Sequence, residues 1–132
     1  MKKYLCVLAG AAAISFFSSC KKDDISGIVT QGDWKITSFI DSGNDETHHF
    51  NGYTFTFESN GTVKAVNGNT TRSGTWSEGN DDSRHKFYLT FPAGGSFEEL
   101  NDDWQVDEKT ASVIRLRDDN PASAETLVFE KK

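Results

Sequence analysis

The stretch Tyr53-Thr54-Phe55-Thr56-Phe57, with Asn60-Gly61 and Thr62-Val63-Lys64-Ala65-Val66 behind it, shows which fold class to expect. Threonine and aromatic residues alternate along its first part. Successive side chains of a strand point to opposite faces, so the three aromatic rings share one face. Asn-Gly suits a type I′ hairpin turn, which needs positive φ at both central positions. The stretch therefore predicts a β-hairpin, and Asn67-Gly68 predicts a second turn of the same kind.

The same alternation recurs along the rest of the chain. Residues 86–91 alternate again before Pro92-Ala93-Gly94-Gly95 interrupts them. Ser96–Leu100 predicts one helical turn, with Ser96 as its N-cap and Glu99 completing a capping box. We count about eight short strands, with the others expected at residues 34–40, 75–76, 104–106, 113–117 and 126–129. Eight sequential antiparallel strands favour an all-β up-and-down barrel, and a two-sheet β-sandwich is the alternative.

The N-terminal segment has the features of a lipoprotein signal. Met1-Lys2-Lys3 is basic, and residues 5–17 are apolar or small apart from Ser15. Such a pattern is typical of a signal peptide, and the apolar run is shorter than the roughly 20 residues that cross a bilayer. Phe17-Ser18-Ser19-Cys20 resembles a bacterial lipobox, whose cysteine is acylated and becomes the first mature residue. The alternative is ordinary signal cleavage beside an incidental cysteine.

Charged residues directly after the cysteine predict where the protein is displayed. Lys22-Asp23-Asp24 resembles the surface-export signal of Bacteroidetes lipoproteins, and a solvated polar tether is the alternative. We therefore expect a lipid anchor on Cys20 that binds the outer membrane, with the domain exposed at the cell surface. The expected boundaries are a lipoprotein signal peptide at 1–19, a lipidated flexible tether at 20–31, and a β-barrel domain at 32–132.

Charge and cysteine content exclude several function classes. The 132-residue chain carries 20 acidic and 14 basic residues, and only Lys2 and Lys3 precede residue 19, so the mature chain has 12 basic against 20 acidic residues and a net charge of −8. An acidic domain repels phosphate backbones, so we expect no nucleic-acid partner. Cys6 lies in the segment that is removed, which leaves no disulfide, thiolate metal site or thiol nucleophile.

The remaining polar residues give no strong site. If His48-His49 lies on a strand, its two imidazoles face opposite ways and do not readily share a metal, and nothing in the sequence brings His85 near them. The acidic doublets Asp81-Asp82, Asp102-Asp103 and Asp118-Asp119 are expected in solvated turns, because the spaced calcium-loop pattern is absent. No catalytic motif appears. We expect no catalytic residue, no metal, no cofactor and no enzymatic activity.

Several ordered motifs together resemble the small lipocalin-like lipoproteins of Bacteroidetes. Gly32-Asp33-Trp34 is similar to the Gly-x-Trp signature that opens lipocalins. The other matching motifs are Gly52-Tyr53-Thr54-Phe55-Thr56-Phe57, Asn60-Gly61-Thr62-Val63, Gly74-Thr75-Trp76 and Leu100-Asn101-Asp102-Asp103-Trp104. The resemblance covers nearly all of the mature domain. It implies a lipocalin-like barrel in which Gly32 and Trp34 lie at the closed end, beside Arg115 or Arg117 in a stacked cation–π contact.

The function expected from this resemblance is binding rather than catalysis. Larger lipocalins carry small apolar ligands in the barrel mouth, so the first expectation is a non-catalytic module for a small apolar or amphipathic ligand. An eight-stranded barrel is only just wide enough to be filled by side chains or to hold one small ligand. The alternative is therefore a filled barrel that contacts a protein or glycan through its outer loops. Trp34, Trp76 and Trp104 are expected in the core, and no ligand-binding residue is assigned.

Overall fold

The computed structural model describes residues 25–81 and 83–132, and these residues form a single β-sheet with short helical turns. The strands are β1 (Trp34–Asp41), β2 (Asn44–Asp45), β3 (Thr54–Phe57), β4 (Thr62–Asn67), β5 (Thr70–Asp81), β6 (Arg84–Thr90), β7 (Asp102–Lys109), β8 (Val113–Arg117) and β9 (Thr126–Lys131). The turns are the α-helical α1 (Ser26–Val29) and the 3₁₀ turns η1 (Thr47–Phe50), η2 (Ser96–Leu100) and η3 (Pro121–Ser123).

The sheet closes into an eight-stranded antiparallel barrel with sequential strand order. Each strand from β3 to β9 pairs with its neighbour in the chain, and β1 pairs with β9 from Trp34–Lys131 to Ile40–Thr126. The two-residue β2 is an addition to the end of β1 rather than a barrel strand. Between β1 and β3 the register contains the single pair Trp34–Phe55. The predicted fold class is therefore confirmed, and the sandwich alternative is wrong because the sheet closes on itself.

The predicted hairpins form, but their turns differ from the predicted type. Among the described non-glycine residues, only Ser42, Ser83 and Ala124 have positive φ. At the first turn only Gly61 has positive φ, so the type I′ assignment is wrong. The β4–β5 turn places Gly68 at its first central position with a φ of 59°, which is the pattern of a type II′ turn. In this turn only Gly68 has a positive φ. Asn69, the second central residue, does not.

Aromatic side chains fill the interior of the barrel. Trp34, Trp104 and Phe87 are fully buried, and ring contacts link one side of the interior to the other. The ring pairs with centroids 5.2 to 5.9 Å apart include Phe50–Phe97, Phe55–Phe129, Phe57–Phe129, Phe57–Phe87 and Trp76–Phe87. The first three of these pairs meet edge-on, a geometry that is favourable beyond the burial of the rings. The prediction that the three tryptophans belong to the core is confirmed, since Trp76 is only 7% exposed.

The folded domain begins earlier than the predicted boundary at residue 32. Ile25 and Val29 are fully buried in the core, and the α1 turn joins them. Burial of two large apolar side chains is favourable by about 1.5–3 kcal/mol each, which holds this segment against the barrel. The predicted flexible tether of residues 20–31 is therefore wrong for residues 25–31.

The η2 turn forms where a helical turn is predicted, but its cap differs. Gly95 is the N-cap, with no side-chain capping bond, and Ser96 is the first residue of the turn. Instead, the Gly94 N–H donates to Glu98 Oε1 at 2.9 Å. The capping box of Ser96 and Glu99 is therefore wrong, which leaves the Glu99 carboxylate at the surface.

Some predictions fall outside the described residues. The signal peptide at residues 1–19, the lipid attachment at Cys20 and the export signal Lys22, Asp23 and Asp24 lie there. Within residues 25–81 and 83–132, no helix is long and apolar enough to cross a membrane.

Candidate functional site

The first end of the barrel is closed by Trp34 and the α1 turn. The Trp34 indole is fully buried, and its Nε1–H donates to the carbonyl oxygen of Val29 at 2.9 Å. Lys131 Nζ lies 4.9 Å from the centroid of the same indole. A Cβ at Gly32, which has a φ of +80°, would lie 3.2 Å from Lys131 Cδ. Glycine at this position therefore provides both the backbone conformation and the space for the lysine.

Arg115 does not supply the cation that was predicted over Trp34. Its Nε lies 2.8 Å from Glu108 Oε1 on the neighbouring strand, and both side chains are about half exposed. Arg117 makes a similar surface pair with Asp107 at 2.9 Å. The cation at the indole is Lys131, which lies opposite Trp34 because β9 pairs with β1. The predicted cation–π contact therefore exists with a lysine, and the role assigned to Arg115 is wrong.

Glu78 holds the α1 turn against the barrel. Its carboxylate accepts the Ile25 N–H at 3.1 Å, the Ser26 N–H at 2.9 Å and the Ser26 hydroxyl. His85 Nε2 lies 2.7 Å from Glu78 Oε1. A nucleophilic serine needs the imidazole next to its hydroxyl, with the carboxylate on the far side of the ring. Here the carboxylate lies between the two, so the arrangement fits a structural clasp and not a catalytic triad.

The opposite end, the mouth, is plugged by the two 3₁₀ turns η1 and η2. Phe50 from η1 and Phe97 from η2 meet edge-on with their ring centroids 5.2 Å apart. Phe39 of β1 packs against Phe50 at 5.6 Å, and Phe55 of β3 lies 6.0 Å from Phe97. All four side chains are at most 4% exposed. Where a larger lipocalin has an open entrance, aromatic rings fill the space.

Polar side chains on η1 and η2 form a cluster at the rim of this plug. The rings of His48 and His49 lie 4.2 Å apart, and His49 Nε2 lies 3.4 Å from Glu46 Oε1. On the other side of the ring, His49 Nδ1 lies 3.8 Å from Glu99 Oε1. We call Glu46, His48, His49 and Glu99 the mouth cluster. The prediction that the two imidazoles face opposite ways assumed a strand and is wrong, because residues 47–50 form a 3₁₀ turn.

Carboxyl groups of β7 and of the β8–β9 connection lie close together at the same end, and the pKa values of two of them are raised. Burial, a hydrogen bond to Asp102 and repulsion by neighbouring carboxylates raise the pKa of Glu125 to about 8. Burial and a hydrogen bond to the Asp103 side chain are the main causes that raise the pKa of Asp102 to about 6. Asp102 is thus a half-buried residue of β7, so the prediction of a solvated turn is wrong for it.

The side chain of Lys86 lies beside these carboxyl groups. Its Nζ is 2.7 Å from Asp119 Oδ2 and 3.5 Å from Asp103 Oδ2. Hydrogen bonds from Lys86 and Arg84 lower the pKa of Asp119, so that this carboxylate stays charged. Lys86 thus places a cation on one side of the acidic group, and the two carboxyl groups with raised pKa values, Asp102 and Glu125, lie on the other.

Two adjoining hollows lie on the barrel wall near the mouth, and we call them together the Phe91 hollow. One has a volume of about 370 Å³ and the other about 480 Å³, and Ser73, Phe91 and Pro92 line both. The lining also includes Thr71, Arg72, Ala93 and Phe97 in the first, and Thr62, Gly74, Thr75 and Thr90 in the second. The guanidinium carbon of Arg72 lies 5.6 Å from the Phe97 ring centroid. The site thus combines apolar rings with one cation.

The hollow exists because β5 extends beyond β6. The β5–β6 register ends at Thr75–Thr90, whereas β5 continues to Thr70 in its pairing with β4. In the described part of the chain, residues 70–74 therefore have a strand neighbour on one side only. A Cβ at Gly74 would lie 2.4 Å from the Thr90 carbonyl oxygen and 2.7 Å from Phe91 Cδ1. Because Gly74 has no side chain, the chain that follows β6 can pass close to β5 at this point. Phe91 then packs against Gly74 and forms the floor of the hollow.

The fold is similar to that of a solved structure from Bacteroides. A crystal structure of a DUF4847 family protein from Bacteroides vulgatus superposes with a TM-score of 0.57 and 16% identity, over 83% of this chain and 98% of that one. An NMR structure of a protein from Burkholderia xenovorans gives a TM-score of 0.45 and 12% identity, over 83% and 88%. No family model matches this chain, and no curated protein matches it. The chain therefore shares an eight-stranded antiparallel barrel fold with the DUF4847 protein.

Proposed function

We propose that this protein is a lipid-anchored, non-catalytic binding module that holds a small amphipathic ligand in the Phe91 hollow. The observation that carries the proposal is the hollow itself, where Phe91 and Pro92 provide an apolar surface and Arg72 provides a cation. Its volumes lie in the range of roughly 300–1,000 Å³ that is typical of small-molecule sites. The ligand class is a molecule with an apolar body and an anionic group.

The filled interior supports a site on the wall rather than inside the barrel. Phe50 and Phe97 plug the mouth, and the ring contacts continue to Phe87 and Trp76. Protein interiors are close-packed, so a ligand inside would have to displace several rings at a cost of several kcal/mol. The wall site needs no such displacement, because Pro92 and Ala93 are already exposed.

Native mass spectrometry on the chain purified from its own host, with Cys20→Ala to remove the anchor, tests ligand binding. We expect a discrete added mass that is lost on denaturation. Ser73→Trp places a large ring on an exposed strand position that lines both hollows, and it should abolish the added mass. Ser77→Trp is the matched control on the same strand and should retain it. Equal retention by both variants would contradict the site.

The membrane anchor is a separate part of the proposal. We infer that Cys20 is acylated and that Lys22, Asp23 and Asp24 direct the protein to the cell surface at the outer membrane. Cys20→Ala should abolish labelling with a palmitate analogue. Replacing the three charged residues with alanine should leave the protein anchored but protected from protease added to intact cells. Labelling that persists in Cys20→Ala would contradict acylation of Cys20. Unchanged proteolysis of the alanine variant on intact cells would contradict the role of the three charged residues in surface export.

A second candidate function is favoured by the open edge of β5. Residues 70–74 lack a strand neighbour on the β6 side among the described residues, and an extended segment of a partner protein could pair with such an edge. The domain would then be an interaction lipoprotein with a filled barrel. Ser73→Pro removes a backbone donor from this edge, whereas Ser73→Trp fills the hollow. Partner loss with proline but not with tryptophan would favour this function over ligand binding.

A further inference from the structure

We propose that the mouth cluster is a binding site for a divalent transition-metal ion of the Zn²⁺ class. One ligand atom from each of Glu46, His48 and His49 lies within 4.8 Å of the other two. Two imidazoles and a carboxylate are ligands that Zn²⁺ and its neighbours in the first transition row accept. The inference does not rest on the proposed function, because the cluster and the Phe91 hollow have no lining residue in common.

The separation between His49 and Glu46 suits a tetrahedral ion. Zn²⁺ binds nitrogen and oxygen at about 2.0–2.1 Å, so two ligand atoms of a tetrahedral site are about 3.4 Å apart. His49 Nε2 and Glu46 Oε1 are 3.4 Å apart. His48 is the exposed member of the set, and rotation of its side chain can bring its nitrogen to the same ion. The fourth position faces solvent and is open to water.

The backbone that carries these ligands is already fixed. The Glu46 N–H donates to the Phe39 carbonyl at 2.8 Å, and the Phe39 N–H donates to the Thr47 hydroxyl at 2.9 Å. Asp45 Oδ1 accepts both the N–H and the hydroxyl of Thr47, at 3.0 and 2.6 Å. Phe50, the residue after His49, is buried in the plug. A site whose backbone is fixed before binding loses less conformational entropy when the ion binds.

Glu99 gives the cluster the outer partner that metal-bound histidines require. A ligating imidazole usually donates its second ring N–H to a carboxylate, which fixes the tautomer and raises the basicity of the ligand. His49 Nδ1 is buried without a hydrogen-bond partner among the described residues, and Glu99 Oε1 lies 3.8 Å from it. A small rotation of the exposed Glu99 closes this distance. The two nitrogens of His49 therefore have separate roles, Nε2 toward the ion and Nδ1 toward Glu99.

The acidic group around Asp102 and Glu125 is a poorer site for such an ion. One oxygen each from Asp102, Asp103 and Asp118 also lie within 4.8 Å of one another. However, Lys86 lies 3.5 Å from Asp103, and burial raises the pKa of both Asp102 and Glu125, which disfavours the ionised carboxylates that a cation requires. Its ligands are also all oxygens, which suit Ca²⁺ or Mg²⁺ rather than Zn²⁺. A variant of this acidic group therefore serves as a negative control for Zn²⁺ binding in the test.

Isothermal titration with Zn²⁺ tests the site on the untagged full chain carrying Cys6→Ala and Cys20→Ala, so that no thiol competes. We expect one Zn²⁺ per chain. His49→Gln and Glu46→Gln should each lower the affinity about 100-fold or more, and Glu99→Gln about 10-fold. Glu98→Gln is the matched control on the same 3₁₀ turn and should leave the affinity unchanged. Titration with Co²⁺ should give the intense visible absorption of a four-coordinate ion.

The partly buried His49 lies next to Phe50 in the core, so His49→Gln could disturb folding. Two further variants test the site independently of that effect. His48→Gln alters an exposed side chain and should lower the affinity while leaving the near-ultraviolet circular dichroism unchanged. Asp118→Asn should not change Zn²⁺ binding. The proposal is overturned if the parent chain binds no Zn²⁺, if His48→Gln and His49→Gln both bind as tightly as the parent, or if Asp118→Asn alone removes binding.

Discussion

The two ends of the barrel are closed in different ways. At the first end, the groups that close the barrel are hydrogen-bonded to one another: Trp34 donates to Val29, and Glu78 accepts from the start of α1. The one exception among the described residues there is His85, whose Nε2 lies on Glu78 and whose buried Nδ1 has no hydrogen-bond partner. At the mouth, the closure is apolar, and the polar groups around it carry raised pKa values or an unsatisfied ring nitrogen. Polar groups that are not used for closure are available for binding. The difference is consistent with a first end that serves stability and with the binding that we propose at the mouth.

The largest expected effect concerns the first end. Trp34→Ala removes a fully buried indole and its hydrogen bond to Val29, and it should lower the free energy of unfolding by about 3–5 kcal/mol. Trp34→Phe keeps a ring but leaves the Val29 carbonyl oxygen unpaired, so it should cost about 1–3 kcal/mol. Urea denaturation measures both values. A loss below about 1 kcal/mol for the alanine variant would mean that this end does not hold the barrel closed.

A smaller effect is expected from the carboxylate that fastens α1. Glu78→Gln weakens charge-assisted hydrogen bonds to the Ile25 and Ser26 N–H groups and should lower the free energy of unfolding by about 1.5–3 kcal/mol. Glu58→Gln is the control, because the Glu58 carboxylate pairs with Lys64 at the surface at 3.5 Å. Its cost should be below about 0.5 kcal/mol. Similar losses of unfolding free energy for the two variants would mean that Glu78 holds α1 no more firmly than a surface carboxylate holds its partner.

At the mouth, the expected effect depends on pH. The folded pKa of Glu125 is raised from 4.5 to about 8, so the folded chain retains a proton that the unfolded chain has already lost. This stabilising contribution is complete below pH 4.5 and is lost as the pH rises toward 8. Glu125→Gln removes the dependence. The carboxyl is only half-buried, and solvent screens it. The difference in unfolding free energy between the variant and the parent should therefore change by about 1 kcal/mol across this pH range.

Measurement of unfolding free energies at about pH 5 and about pH 9 checks this prediction. Glu125→Gln should gain stability relative to the parent at the higher pH. Glu108→Gln, which changes an exposed carboxylate beside Arg115, should show no such gain. A parent whose stability rises steadily across this interval, with no difference in Glu125→Gln, would contradict the raised pKa.

The smallest expected effect separates the two cations considered for Trp34. Lys131→Met keeps the apolar stem and removes the charge over the indole, and it should cost about 0.5–1 kcal/mol. Arg115→Met removes only an exposed pair with Glu108 and should cost about 0–0.5 kcal/mol. Thermal unfolding of both variants provides the comparison. A larger loss for Arg115→Met would restore the arginine to the role that the sequence predicts for it.

The strands were predictable because their signal is local. Alternation at residues 53–57 and at residues 86–91 reports directly which face of a strand is buried. The α1 turn gives no such signal, since four residues are too few to show a helical period and Ile25 follows directly on a charged segment. Its role depends on Glu78, which is more than fifty residues away in the chain.

The candidate site was less predictable than the fold. Interpreting His48-His49 required the knowledge that residues 47–50 turn as a 3₁₀ helix, and this turn is set by Phe50 packing on Phe97. Lys131 reaches Trp34 only because the barrel closes, and Arg115 appeared equally suitable on the basis of residue type. Contacts between distant segments determine each of these features, and local patterns do not report such contacts.

The pairing of β1 with β9 also has a consequence for biosynthesis. The pair Trp34–Lys131 joins residues nearly a hundred positions apart, so the barrel cannot close before β9 has been synthesised. Closure across so long a stretch of chain is slow compared with hairpin formation. The export that we propose for this chain requires an unfolded polypeptide. Late closure of the seam would help to keep the nascent chain competent for that export.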